Sequence, residues 1–388
     1  MQIAKRMDNV QRSYIREILK VTARPDIISF AGGLPHPDSF PVQGVAEAAA
    51  AVLAESGSEA LQYSTTEGYL PLREWISARY ARQGIEVSPD EILITTGSQQ
   101  ALDLVAKTTI DRGAPVVIER PGYLGAIQCF SFYGAQFRTV DLTPRGVDVE
   151  ALRREAKGAR LFYAVPSFQN PSGITYDEPT RREVAAIMAE TGCMLVEDNP
   201  YGELRFMGTP VAPIRKWAES PSVLLGSFSK VVSPGLRIGW ACAPAELMRH
   251  MVTAKQASDL HTPMFTQRLL HRFLVDNDVD EHIASIRKRY GAQRQCMMDA
   301  IRKHFPECVT VTEPEGGMFL WCGLPEGVTS EHLFHKAIER KVAFVPGCPF
   351  YVDGTDTGFR LNFSNASQDD IVEGIARLGA CLTEELAR

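Results

Sequence analysis

A lysine three residues beyond an apolar run, in SVLLGSFSK, is the first residue of this chain that asks for a chemical explanation. An ammonium is costly to desolvate, and burial moves a lysine toward its neutral form. Lys230 therefore reads either as a side chain that snorkels to the surface or as an amine held back to bond a ligand covalently. Three other apolar runs end in comparable polar residues. Asp198 closes MLVED, with Tyr201 three residues on in EDNPYGEL. Asn170 lies in the Pro-flanked turn PSFQNPSG. Gly97, Ser98 and Gln99 follow ILITT and open a helical stretch, while Ser227, Ser229 and Arg237 surround the lysine in GSFSKVVSPGLRIGW. Each has a plain alternative: a Gly-Ser helix cap, a turn asparagine, an aspartate cap. Together they supply a helix start whose free N–H groups and dipole suit a phosphate, with two hydroxyls and a guanidinium for the rest of a dianion. An acid, an amide and a phenol remain to surround an aromatic heterocycle that Lys230 could bond.

These residues fall at the ends of short strands. Apolar, β-branched runs predict strands at Ile92–Thr96, Pro115–Glu119, Leu161–Pro166, Met194–Asp198, Val223–Ser227 and Ile238–Ala243. Apolar stripes at helical spacing predict helices at Ser98–Ile110, Leu124–Tyr133, Thr180–Glu190 and Pro244–Ala257. Such alternation implies a parallel sheet covered on both faces, and ligands of open α/β sheets bind beyond the carboxyl ends of the strands. After about Glu281 the pattern changes to a long charged helix, Glu281–His304, then strand-like stretches, a helix at Thr329–Arg340 and further short strands, as in a second, α+β domain. The Gly- and Pro-rich opening, through about Pro41, reads as an irregular arm between the two. The expected division is 1–45 for the arm and part of the small domain, 46–283 for the large domain and 284–388 for the small C-terminal domain.

Composition narrows the function classes. The 388 residues are 45% hydrophobic with a formal net charge of -6 and scattered basic residues, which argues against nucleic acid or an anionic membrane as partners. No apolar run reaches the roughly 18 residues of a membrane span, and MQIAKRMDNVQRSY has no stretch suited to a signal peptide, so a cytoplasmic location is expected. Eight dispersed cysteines without a CxxC pair predict free thiols and no metal site; His332 and His335 lack the two further ligands that zinc needs.

Pyridoxal phosphate, with a phosphate, a ring nitrogen, a phenolate oxygen and an aldehyde, asks for the polar set above. In SFSKVVSPGLRIGW at 227–240, with NPSG and EDNPYGEL in the same order, the chain resembles the fold-type I pyridoxal-phosphate enzymes of the class I/II aminotransferase group over nearly its whole length. SYIREILKVTARPDIISFAGGLPHPDSFP and QYSTTEGYLPLRE are similar to the branch containing 2-aminoadipate and kynurenine aminotransferases, a branch that shares its fold with the effector domain of certain transcription regulators. A free-standing enzyme is expected, because the chain shows no winged-helix extension.

The resemblance implies a three-layer α/β/α large domain with a mostly parallel sheet, and a smaller α+β domain. It implies that Lys230 bonds the cofactor and later moves protons, that Asp198 pairs with the pyridine nitrogen, and that Asn170 and Tyr201 bond the phenolate oxygen. Tyr123 in PGYLG would stack over the ring. Gly97, Ser98, Gln99, Ser227, Ser229 and Arg237 would hold the phosphate, and Tyr63 would reach the phosphate of a neighbouring subunit in a homodimer. Arg360 in GFRLNFSN resembles the arginine that clamps a substrate α-carboxylate through its planar fork, with Gly33 adding a backbone contact. Ser13 and Arg16 are expected to bind a distal carboxylate, with glutamate and 2-oxoglutarate as the common pair; Tyr14, Leu34 and Phe265 would line an apolar part of the pocket. A lyase or decarboxylase on the same cofactor, and a non-catalytic effector-sensing module, are the alternatives.

Overall fold

The apolar runs between residues 92 and 242 form strands because β-branched side chains fit a pleated surface buried on both faces. A computed structural model describes residues 26–387 together with Ile3, Met7 and Arg24. Ser13, Tyr14 and Arg16 lie outside the described residues.

A two-residue strand, β1 (Ile28–Ser29), precedes the main sheet. That sheet contains β2 (Ile92–Thr96), β3 (Pro115–Arg120), β4 (Gln136–Thr143), β5 (Gly146–Val147), β6 (Leu161–Ala164), β7 (Met194–Asp198), β8 (Ser222–Ser227) and β9 (Ile238–Cys242). Its order is β2-β9-β8-β7-β6-β3-β4-β5. Strands β8, β7, β6, β3 and β4 are parallel neighbours, whereas β9 is antiparallel to both β8 and β2 and β5 is antiparallel to β4. The sheet is thus mostly parallel, as the resemblance implies, with β9 and β5 running against their neighbours. The ten residues 228–237 that join β8 to β9 are too few for a crossover, which takes a dozen or more. As a result β9 begins where the strands on either side of it, β8 and β2, end, pairing Gly239 with Ser227 and Ile238 with Thr96.

Further along, β10 (Thr310–Val311), β11 (Phe319–Gly323), β13 (Val345–Pro346) and β14 (Gly358–Asn362) form an antiparallel sheet of order β10-β11-β14-β13. Strand β12 (Val342–Ala343) pairs in parallel with β1. The opening stretch is therefore not wholly irregular: β1 ties it to the C-terminal half of the chain. The helices Val279–His304 and Gln368–Leu386 pack on each other beside this sheet. Their starts are set by Asp278 and Ser367, whose side chains accept from the N–H groups of Glu281 and Asp370. Among the described residues no helix is long and apolar enough to cross a membrane.

Candidate active site

The antiparallel return of β9 brings three polar loops to one edge of the sheet. At the end of β2, Gly97 caps the helix Ser98–Thr109 with φ 75° and ψ 164°, a conformation open to glycine and poorly tolerated by other residues. A Cβ on Gly97 would strike the Arg237 guanidinium, and one on Gly239 would lie 2.5 Å from the Ser98 nitrogen. The missing side chains let the helix start, with its unpaired N–H groups, press against β9. Ser227 Oγ donates to Ser229 Oγ at 2.9 Å and accepts from Ser229 N–H at 3.1 Å. Arg237 itself sits in the left-handed region (φ 54°, ψ 41°) at the end of the turn Pro234–Leu236, a backbone cost that a merely exposed arginine would not need. Its Nη2 donates to the Thr96 carbonyl at 3.4 Å. Gln99 is exposed, with its side chain amide donating to the Gly125 carbonyl at 3.3 Å.

Behind this cup lies a buried carboxylate. Asp198 is 3% exposed at the tip of β7; Tyr163 from the adjacent β6 donates to its Oδ2 at 2.8 Å. Its Oδ1 has no hydrogen-bond partner among the described residues. Burial raises the carboxyl to about 6, against the opposing effect of Tyr163. The sign of the linkage is fixed by that rise: the penalty is absent below the unfolded value of 3.8 and complete above about 6. We expect the ligand-free chain to lose roughly 3 kcal/mol of stability through this group between pH 4 and 7. Urea denaturation of the wild type and Asp198→Asn at both pH values should show the wild type losing roughly 3 kcal/mol more than the variant.

Lys230, partly buried, donates from Nζ to the Gly33 carbonyl at 2.7 Å. Burial first, then the charges of Arg360 and Arg237, lowers it to about 8. Arg360, on β14 and 2% exposed, donates from Nη1 to Asn170 Oδ1 at 2.8 Å and from Nη2 to the Ala31 carbonyl at 2.6 Å. Its guanidinium carbon lies 4.3 Å from the Phe319 ring centroid and 5.5 Å from that of Phe350. Both acceptors are neutral, and burial lowers the group to about 10, so this cation calls for an anionic ligand. Tyr201 packs edge-on to Phe319 at 5.8 Å, its phenol raised far above the usual value, chiefly by burial. Burial, aided by Asp198, pushes the Tyr123 phenol up to about 12.

Tyr63 stands apart, 78% exposed and edge-on to His261 with centroids 5.9 Å apart. Gly33 contributes its carbonyl to Lys230, and a Cβ there would come within 3.3 Å of Phe319. Leu34 is exposed and Phe265 packs partly buried against the core.

Sequence reasoning passed over Tyr163 and Glu119. Tyr163 sits inside the apolar run LFYAVP, where a buried phenol needs a partner; that need was the available signal. Glu119, at the charged tip of an apolar strand as Asp198 is, accepts from Val165 N–H at 3.1 Å, Gln169 Nε2 at 3.0 Å and Tyr176 OH at 2.7 Å. It thereby holds the loop that presents Asn170, and burial raises its carboxyl to about 7.

A mostly parallel α/β sheet thus brings a desolvated lysine, a buried aspartate and the cluster of Gly97, Ser227, Ser229 and Arg237 to its carboxyl edge. The chain belongs to the aminotransferase class I and II family, whose model matches residues 25–378. It is 46% identical to a 2-aminoadipate transaminase of Thermus thermophilus, over 97% of this chain and 96% of that one. An aromatic-amino-acid aminotransferase of Thermococcus litoralis is 40% identical over 98% of this chain and 93% of the other. Among solved structures, a kynurenine aminotransferase of Pyrococcus horikoshii in complex with PMP aligns with a TM-score of 0.94 at 39% identity, covering 99% of this chain and 97% of that one. The protein is a pyridoxal-phosphate-dependent aminotransferase.

Proposed function

We propose that this enzyme moves an amino group between an α-amino acid and a 2-oxo acid with Lys230, Asp198 and Arg360 as its working residues, and with glutamate and 2-oxoglutarate as one pair. The observation that carries the reading is Asp198 Oδ1: a buried carboxylate oxygen without a partner among the described residues fits a ring N–H of the cofactor. The glycines at 97 and 239, with Ser98, Gln99, Ser227, Ser229 and Arg237, fit its phosphate. When bound, pyridoxal phosphate supplies an aldehyde that takes up the substrate amine and a protonated ring that accepts the electrons of a breaking bond at the α-carbon.

On this reading Asp198 holds the proton on the ring nitrogen, and Asn170 and Tyr201 donate to the ring oxygen. Tyr123 lies against one ring face. Arg360 turns from its two neutral acceptors to the substrate α-carboxylate and fixes the rotation of the α-carbon. Lys230 Nζ would hold the cofactor aldehyde and, once free, would move the α-proton as a general base. Gly33 is close enough to Lys230 to help place it.

The test is to mix the purified enzyme with a single amino acid and no 2-oxo acid. One equivalent of the matching 2-oxo acid per site is expected, then arrest until an acceptor 2-oxo acid is added. Continuous release of ammonia or carbon dioxide would replace this reading with a lyase or a decarboxylase.

For the second pair we propose 2-aminoadipate, aromatic or aliphatic amino acids, by similarity to the named relatives. Ser13 and Arg16 are our candidates for the distal carboxylate. Replacing Arg16 with Gln should lower kcat/KM for acidic substrates about tenfold, the worth of one charge-assisted hydrogen bond, and spare aromatic ones; an equal effect on both would sink the assignment. We further propose a homodimer in which Tyr63 completes the neighbouring phosphate site. The exposure of Leu61, Tyr63 and Leu260 supports it. The division into a large domain at 46–283 and a small one at 284–388, with 1–45 as arm and part of the latter, is likewise our proposal.

A further inference from the structure

Beside the phosphate cup lies a polar cluster around a buried lysine, with no part in the scheme above. Lys255, on the helix Ala245–Gln256, is wholly buried. Its Nζ donates to Gln100 Oε1 at 2.6 Å, Asp259 Oδ1 at 2.9 Å and Thr262 Oγ1 at 3.1 Å. Gln100 is in the first turn of the helix that Gly97 caps, and the same Oε1 accepts from Thr96 N–H at 2.8 Å. Asp259 Oδ2 accepts from Gln100 Nε2 at 2.7 Å and from Thr96 Oγ1 at 3.2 Å. The residues on both sides of the Gly97 turn are thus tied to one ammonium and its counter-ion. Asp259 itself reaches solvent, and an exposed carboxylate adds little net stability to the pair, but the network specifies one arrangement of what it joins.

The cluster has a second arm. Between Asp259 and Thr262, His261 has its Nδ1 3.0 Å from the Thr262 carbonyl, while its Nε2 accepts from Ser64 N–H at 3.4 Å. These contacts suit the tautomer with its proton on Nδ1. The ring meets Tyr63 edge-on, at an interplanar angle of 89°. The segment bearing Tyr63 therefore rests on the same loop that supplies two ligands of the Lys255 ammonium.

We propose that Lys255 is a positioning residue for two phosphate sites, its own through Gln100 and Thr96, and the neighbouring subunit's through His261 and Tyr63. The proposal rests on the reading that the cup and Tyr63 hold the cofactor phosphate. It is tested by the affinity of the full-length apoenzyme for pyridoxal phosphate and for pyridoxal, the same aldehyde without the phosphate. In Lys255→Met the affinity for pyridoxal phosphate should fall about tenfold, the size expected of an outer-shell partner, with pyridoxal binding unchanged. An equal fall for both ligands, or no fall, overturns the proposal. If the lone Asp259 carboxylate prevents folding, the paired variant Lys255→Met/Asp259→Leu is read by the same comparison.

The second arm is read by a double-mutant cycle of Tyr63→Phe and His261→Ala. Non-additive losses of pyridoxal phosphate affinity are expected, and additive losses overturn the link between subunits. A wild type that binds both aldehydes equally would remove the phosphate reading itself, and the proposal with it.

Discussion

Replacing Lys230 with alanine should reduce transamination by at least about 10⁴-fold, the upper range for a positioned general base, because the covalent role is lost as well. Circular dichroism and urea midpoint should change little, since the side chain is only partly buried and, among the described residues, bonds to the Gly33 carbonyl. The wild-type amine carries a distinct pH signature. At a value of about 8, against the ordinary 10.5, about a tenth of the amine is neutral at pH 7, compared with about 3 in 10,000 for a free lysine. Only the neutral amine can capture an aldehyde. The rate at which apoenzyme captures pyridoxal phosphate should therefore climb about tenfold per pH unit below pH 8 and level off above it. Stopped-flow absorbance measures that rate directly, and a climb that continues to pH 10 would show that the lysine is not desolvated as described.

The second large effect is expected at Arg360. Each hydrogen bond to a charged group is worth about 1.5–3 kcal/mol, so loss of a two-pronged grip on a carboxylate amounts to about 3–6 kcal/mol. Since about 1.4 kcal/mol is a factor of ten, Arg360→Leu should lower kcat/KM by about 10²–10⁴. The factor should be the same for acidic and aromatic substrates, because the α-carboxylate is common to all. Arg360→Lys should recover only part of it, as an ammonium keeps the charge but not the planar fork. Steady-state kinetics with two dissimilar amino acids decides the matter: a loss confined to one of them would assign Arg360 to side-chain selection instead.

The strands were legible because a sheet buried on both faces needs uninterrupted apolar runs, and the polar residue ending each run stood out against them. That contrast revealed Lys230, Asp198 and Asn170. It failed where a functional side chain belongs to the run itself, as Tyr163 does, or lies in an ordinary helical stretch, as Lys255 does in TAKQ. The helix Val42–Ala60 was missed because its central alanines blur any apolar stripe, and β4 because most of its residues are half-buried at best. The direction of β9 is not written in its residues at all; only the short connection before it carries that information. Ser13 and Arg16 rest on resemblance alone.

That reversed strand has a consequence for how such an enzyme can change. The residues flanking Lys230 and those leading into the Gly97 turn are joined by hydrogen-bonded rungs, Ser227 to Gly239 and Thr96 to Ile238. A slip of one residue along a strand turns every side chain to the opposite face, so a single insertion in β9 misdirects the cup unless a bulge takes it up. The distance from Lys230 to the Gly97 turn behaves as a ruler with fixed graduations. New substrates are more readily accommodated by altering what surrounds the ruler, in the arm that β1 anchors and the antiparallel sheet that carries Arg360.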